Sequence, residues 1–410
     1  MPLAPWRRNL FAITGATFIG FSSFTMVMPF LPLYFQALGL SDVGAIAMWS
    51  GLSLGVTPAM TALLAPTWGR LADRFGLKLM VMRSLVSFIV LMVAMANVSA
   101  PWQVFALRAI QGFFAGYGGL ALTMAADTAP PDRVASALGT VQTAQRIGPA
   151  LGPVIGGTLA GLVGIRQSFY LAAVMYAVAS IWLWVGYRDL RSPAARARDA
   201  SAGSALTLRD MVRLENGGLL LLAVFALQFA ERAFGPTLPL VVGERLGDGR
   251  APVVVAGTLF SIIAGAGAVG NVSAAWWLRR ATAREVIAGA LALSVAGALA
   301  FAVASTVTSM MGAALVFGTG VGLASTVTYA VAGAVVPAAA RARGFGFLTS
   351  AALLGVSISP VLAGALASVS LRAVFAGAAL ALAGLAACVW MRMTTTAVGE
   401  HGDPLVADDG

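Results

Sequence analysis

Apolar stretches long enough to cross a bilayer as helices, about 20 residues each, alternate with short polar turns along the whole chain. They fall near residues 10–37, 45–68, 79–97, 102–126, 134–162 and 167–187, then near 217–242, 251–278, 285–304, 308–336, 344–368 and 371–393. The pattern predicts twelve transmembrane helices with both ends of the chain on one side. The longest polar interruption is 188–216. Its 191–204 portion is rich in Ala, Ser and Arg and reads as a flexible linker, followed by one short amphipathic helix at 208–214. The first run follows Arg7 and Arg8 as a signal peptide's would, but it is too long for a cleavable apolar core and is expected to stay as the first span. The polar residues after Met393 are expected to be disordered.

The two sets of six repeat one another. Pro29-Phe30-Leu31-Pro32-Leu33 and Pro236-Thr237-Leu238-Pro239-Leu240 stand 207 positions apart, and the same offset carries Pro130 onto Pro337, Gly139 onto Gly346, Gly148 onto Gly355, Pro153 onto Pro360 and Gly157 onto Gly364. A register held over that distance marks an internal duplication, and duplicated sets of hydrophobic helices are how secondary transporters are built. The expected fold is all-α and membrane-embedded: twelve transmembrane helices in two pseudo-symmetric six-helix bundles. Residues 1–187 form the first bundle, 188–216 the linker, 217–393 the second bundle and 394–410 the tail.

Composition agrees, at 59% apolar and 10% charged residues with 47 glycines and a mean hydropathy of +0.88, values that exclude a soluble globule of this length. The net charge of +10 does not point to nucleic acid, because the basic residues are dispersed through short loops instead of gathered on one soluble face. Arg7, Arg8, Arg70, Arg74, Lys78, Arg133 and the arginines of the linker lie on the side of the termini, against Arg166, Arg245, Arg250 and Arg372 on the other. The positive-inside rule therefore makes the termini and the linker cytoplasmic. Cys388 is alone, so no intrachain disulfide forms, and no cofactor is implied.

Two loops and helices carry chemistry. In Gly69-Arg70-Leu71-Ala72-Asp73-Arg74-Phe75-Gly76-Leu77-Lys78, glycines permit a tight turn that fixes an acid and basic partners at the rim of a bundle, where charge pairs and helix ends can latch one conformation. In the fifth span, Gly148-Pro149, Gly152-Pro153 and Gly156-Gly157 place small residues at i and i+4, which lets helices approach closely, beside prolines that bend the helix.

The first stretch resembles the G-x-x-x-D-R-x-G signature of the major facilitator superfamily. That resemblance implies the major facilitator fold, with Gly69, Asp73, Arg74, Gly76 and Lys78 as a cytoplasmic gate motif. Leu77 departs from the pattern where the family usually has a basic residue, and the mirrored stretch at 278–285 has lost the glycines and the acid. The second resembles the G-x-x-x-G-P-x-x-G-G sequence of drug:proton antiporters within that superfamily, making Gly148, Pro149, Gly152, Pro153, Gly156 and Gly157 the antiporter motif. Arg108-Ala109-Ile110-Gln111-Gly112 resembles the family's R-x-x-Q-G motif, associated with proton coupling. The likeness is close over the first bundle and weak thereafter.

Charges inside a membrane are costly unless paired or wetted, so they mark function. Arg108, Arg146, Glu231 and Arg232 fall within predicted spans, the last three near mid-bilayer by helix rise. Glu231 is the carboxylate at that depth; His401 lies in the tail and Lys78 in a surface loop. Burial favours the neutral form of a carboxyl and an approaching arginine favours the charged form, so an acid in such a place can be loaded and unloaded. Glu231 is thus the first candidate proton carrier, against the competing reading of a static pair with an arginine. Asp127, at the inner end of span four, is the second, and is expected to pair with basic residues of the 69–78 loop. The excess of arginine invites an anionic or zwitterionic cargo, although arginines that snorkel or bind carbonyls leave the same pattern. Arg146, Arg232, Gln228, Phe30, Tyr34, Gln111, Gln142, Gln145 and Tyr329 are the candidate cavity lining, with the aromatics equally suited to packing or lipid contact.

No G-x-x-x-x-G-K-[ST] run and no His/Cys cluster is present in the sequence, so neither nucleotide-driven pumping within the chain nor metal-dependent enzymology has material to work with. The expectation is a monomeric proton-coupled exporter of small drug-like or amphiphilic compounds in a bacterial inner membrane. Its partners are substrate, protons and lipid. A sugar or metabolite transporter of the same fold, possibly one for an anionic substrate, is the alternative.

Overall fold

A computed structural model describes residues 4–130, 133–188, 207–246, 251–337 and 341–394. The expected linker at 191–204 and the expected tail at 395–410 lie outside the described residues. Among those described there are sixteen α-helices. Ten helical stretches are long and apolar enough to cross a membrane, by length and composition. The other two predicted spans, the first and fourth, are each made of two shorter helices.

The first span is α1 (Pro5–Thr25) and α2 (Leu31–Ala37). A proline removes one helical hydrogen bond and its ring clashes with the carbonyl four residues earlier; for Pro29 that residue is Thr25, where α1 ends. The seventh span breaks by the same rule. Pro236 acts on Arg232, the last residue of α10 (Gly217–Arg232), before α11 (Phe234–Leu246) continues. Between them run α3 (Val43–Phe75), α4 (Leu77–Ala96), α5 (Pro101–Phe114), α6 (Tyr117–Thr128), α7 (Val134–Val163), α8 (Ile165–Gly186) and the short α9 (Leu208–Arg213). Then follow α12 (Ala251–Leu278), α13 (Ala283–Val303), α14 (Val307–Val335), α15 (Arg341–Ala367) and α16 (Leu371–Arg392). The expected surface helix at 208–214 is α9, capped by Thr207 and Asp210 in a capping box.

Helix packing divides in two. In the first bundle α1 packs on α6, α7 and α8, α4 on α8, and α3 on α5. In the second, α10 packs on α14, α15 and α16, α13 on α14 and α16, and α12 on α14. Polar side chains tie the ends: buried Asn9 donates to Thr128 Oγ1 (2.8 Å) and Arg188 O (2.7 Å), joining α1, α6 and the end of α8. Asn216 donates to Thr394 Oγ1 (2.9 Å), joining α10 to the end of α16. We call this the linker end.

Two antiparallel helix pairs join the bundles. Along α3 and α15, a Cβ added to Gly44 would sit 2.9 Å from Ser368 Cβ, and at Gly51, Gly55 and Gly364 it would meet Pro360 O, Ser357 O and Ala47 O. Along α7 and α12, Gly157 lies against Val253 and Gly257, and Gly257 against Pro153 O. All these contacts fall in the halves of the helices away from the linker end.

Candidate functional site

The stretch expected to be the antiporter motif occupies α7, which runs through Pro149 and Pro153 without interruption. Its glycines face the broken first span: a Cβ at Gly148 would sit 2.9 Å from Phe18 O and 3.1 Å from Ser22 N, at Gly152 it would sit 2.6 Å from Ser22 O, and at Gly156 it would meet Met26 O. The repeat copies this contact to the residue. Gly355 on α15 meets Phe225 O and lies 3.1 Å from Phe229 N, the 207-offset partners of Phe18 and Ser22. Gly157, about 100° further round α7, makes the inter-bundle contact. The motif therefore joins the first-span break to the second bundle.

That break and its counterpart in the seventh span meet at the centre, where Arg232 Nη1 lies 3.9 Å from Met28 Sδ and Arg232 Nε is buried without an acceptor. Glu231, in the last turn of α10, is half-buried. It forms neither an ion pair nor a hydrogen bond with a described residue, so the static Glu231–arginine pair is absent from this conformation. A carboxylate in a helix's last turn also faces the negative end of the macrodipole.

Towards the linker end none of the described glycines of α3, α7, α12 and α15 approaches the other bundle. Gln142, Thr143 and Arg146 of α7 are exposed, and Arg146 spans the gap to α12, where its Nη1 donates to Asn271 Oδ1 (3.2 Å) while Asn271 Nδ2 donates to Thr326 Oγ1 (2.8 Å) and Gly322 O (2.6 Å). The amide orientation is the one its neighbours require. Tyr329 is half-buried and stacks on Phe345 with ring centroids 6.2 Å apart. Gln145 is half-buried and donates to Gly118 O (2.9 Å); Gln228 is half-buried against Gly355.

Three expected lining residues are not in that cleft. Phe30 and Tyr34 are fully buried inside the first bundle, both packed on Phe169, with the Tyr34 hydroxyl donating to Met95 O (2.6 Å). Their helical register turns them inward, towards α8. Gln111 is also fully buried, because its Oε1 accepts from Arg108 Nη1 (2.8 Å). Arg108 itself is 2% exposed, with Nε donating to Ser53 O (3.2 Å), its guanidinium over Phe24 and its own carbonyl accepting from Thr57 Oγ1 (2.8 Å). No carboxylate among the described residues compensates it, and the R-x-x-Q-G turn instead locks α5 onto α3.

The 69–78 stretch is less of a loop than expected: α3 runs to Phe75, and the turn is Gly76 alone, at φ 93°. Arg74 is exposed over the Phe75 ring. Lys78 donates to Trp184 O (2.9 Å) and Tyr187 O (2.8 Å), capping the carbonyl end of α8. Leu77, the departure from the family pattern, is buried. The side chains of Gly69, Arg70 and Asp73 lie outside the described residues. Asp127 is half-buried in the last turn of α6, next to the Asn9–Thr128 bond.

Besides the four intramembrane charges that stand out in the sequence, a fifth, Arg83, lies inside the predicted third span. Its Nη2 donates to Phe114 O (2.9 Å) and Ala115 O (3.3 Å) at the break between α5 and α6. Asn271, an uncharged residue with no pattern of its own, does not stand out.

The Major Facilitator Superfamily profile matches residues 13–283 and 220–405. The multidrug resistance protein MdtG of Yersinia enterocolitica is 34% identical over 261 residues, 63% of this chain and 62% of that protein. The multi-drug resistance efflux pump PmrA homolog of Lactococcus lactis is 34% identical over 242 residues, 58% of each. The matched portion is thus under two thirds of the length of these relatives. Among solved structures, a bacterial homolog of the human lysosomal transporter Spinster has a TM-score of 0.77 at 16% identity, covering 96% of this chain and 98% of that one. The nucleoside transporter NupG gives 0.71 at 14% identity, covering 93% and 99%.

Proposed function

Because the chain belongs to the Major Facilitator Superfamily, we propose that it is a proton-coupled secondary active exporter of small drug-like or amphiphilic compounds, a monomer working by alternating access in a bacterial inner membrane. The export reading is supported by the named multidrug relatives and by the α7 glycine motif. The observation that carries the coupling is Glu231: a half-buried acid without a partner among the described residues, at a helix break where the two bundles meet. An acid so placed takes up a proton in one conformation and loses it when an arginine approaches in the other. Arg232 is its chain neighbour, and Arg146 lies on the facing bundle.

On this reading residues 1–187 and 217–393 are the rocking units, joined through 188–216 and followed by the tail at 394–410. The linker end is cytoplasmic by the distribution of basic residues. The close glycine contacts at the other end then seal the outer side, and the halves at the linker end open inward. The experiment is flux in liposomes under an imposed pH gradient, with a panel of amphiphilic cations, zwitterions and organic anions. Glu231→Gln should lower gradient-driven export at least about tenfold while substrate exchange without a gradient persists. Loss of exchange as well would make Glu231 a cargo ligand and end the coupling assignment.

One observation favours a second reading of the cargo, that of an anion-bearing metabolite. Arg146 is exposed in the cleft beside polar Gln142 and Asn271, and no acidic side chain is shown with it. Preference for organic anions within the panel, lost in Arg146→Gln with coupling intact, would establish it.

A further inference from the structure

We propose that Arg83 is a positioning residue: a tethered cation that occupies the break in the fourth span and fixes the Arg108–Gln111 turn relative to the rest of the bundle. Helix α5 ends at Phe114 and α6 begins at Tyr117, with Gly116 at φ 102°, a conformation that a side chain would strain. Its repeat counterpart, α14, passes the equivalent position without interruption. The break therefore belongs to the first bundle alone.

A broken helix in a membrane leaves carbonyls that must find donors. Here three consecutive carbonyls find side chains: Trp68 Nε1 donates to Phe113 O (2.7 Å), Ser84 Oγ to Phe114 O (2.6 Å), and Arg83 Nη2 to Phe114 O and Ala115 O. The Arg83 guanidinium lies 3.4 Å over the Trp68 ring. Its Nε and Nη1 are buried with no acceptor, and no carboxylate among the described residues pairs with it. Carbonyl dipoles on one side and an aromatic face on the other thus compensate its charge. Unwound transporter helices use the same surroundings to hold a free cation.

The break separates parts with different allegiances. Helix α5 is bound to α3 through Arg108–Ser53, Thr57–Arg108 and the backbone approach of Gly112 to Thr57 and Met60. Helix α6 is bound to α7 through Gln145–Gly118 and to α1 through Asn9–Thr128. Since α3 and α7 each hold a different helix of the second bundle, any change in their spacing concentrates at residues 115–116. Trp68 sits one residue before the gate motif, so the clasp also connects that motif to the hinge.

The test uses the full chain, with Arg83→Ala, Arg83→Lys and Trp68→Phe. Hydrogen–deuterium exchange of the peptide covering 110–120 is read beside pH-driven flux. Arg83→Ala should accelerate exchange in that peptide about tenfold while distant spans keep their protection, and should lower the maximal flux with little change in apparent KM. Millimolar guanidinium should restore both. Arg83→Lys supplies charge without the planar fork and should stay fast and unrescued. Trp68→Phe keeps a ring but loses one donor, and should give a smaller local acceleration; it carries the test if Arg83→Ala does not fold.

Wild-type exchange in Arg83→Ala, uniform acceleration across all spans, or no response to guanidinium would overturn the proposal. The effect on flux rests on the exporter reading above, whereas the exchange result does not. A wild-type protein without proton-driven flux would therefore sink only that reading.

Discussion

Single side chains in this protein are decided by what an apolar medium does to an unmet polar group. Gln111 sits at no open cavity, yet it supplies the acceptor for Arg108 Nη1, and its own Nε2 has no partner. Gln111→Leu should cost about 1–3 kcal/mol by orphaning the guanidinium, seen as a lower thermal midpoint in detergent; an unchanged midpoint would mean that Ser53 O and the Phe24 ring suffice. The charges were partly legible in the sequence: Glu231, Arg232, Arg108 and Arg146 stand out as ionised residues in apolar runs. Their partners were not. An arginine's length reaches across helices, so whether it meets a carboxylate, a carbonyl or an amide depends on which span faces it.

At the scale of elements, glycines with the same sequence appearance do different things. Gly156 abuts the Met26 carbonyl, whereas Gly139 has no atom within 4 Å of where a Cβ would stand. Gly156→Val should overpack the α1–α7 contact by about 1–3 kcal/mol and slow transport. Gly139→Ala should raise stability by about 0.5–1 kcal/mol, because alanine loses less chain entropy in a helix. Equal midpoints for the two variants would contradict the packing described. Gly139 and Gly346 keep the 207 offset although both face open space, while Gly148 and Gly355 keep it with equivalent backbone neighbours. Repeat register alone does not separate the cases. The breaks divide likewise: those at Thr25 and Arg232 follow from prolines four residues on, whereas the break at 115–116 depends on Trp68, Arg83 and Ser84, donated by α3 and α4.

For the whole molecule, the two antiparallel inter-bundle pairs make their close glycine contacts at the end away from the linker. Gly44→Cys with Ser368→Cys, in a Cys388→Ala background, should form a disulfide spontaneously, since the built Cβ at Gly44 lies 2.9 Å from Ser368 Cβ and small shifts bring the pair to bonding geometry. Flux should stop on oxidation and return on reduction; free flux through the cross-linked protein would rule out rocking about this seal. The sequence by itself determined the twelve spans, the duplication and the family, because a bilayer selects helices by length and composition and a tandem copy preserves its register. Only the tertiary structure decided where the fourth span breaks, that Phe30, Tyr34 and Gln111 turn inward, and that Glu231 stands without an arginine among the described residues. Those outcomes depend on which helix faces meet, and facing is a property of the assembled bundle that no single stretch encodes.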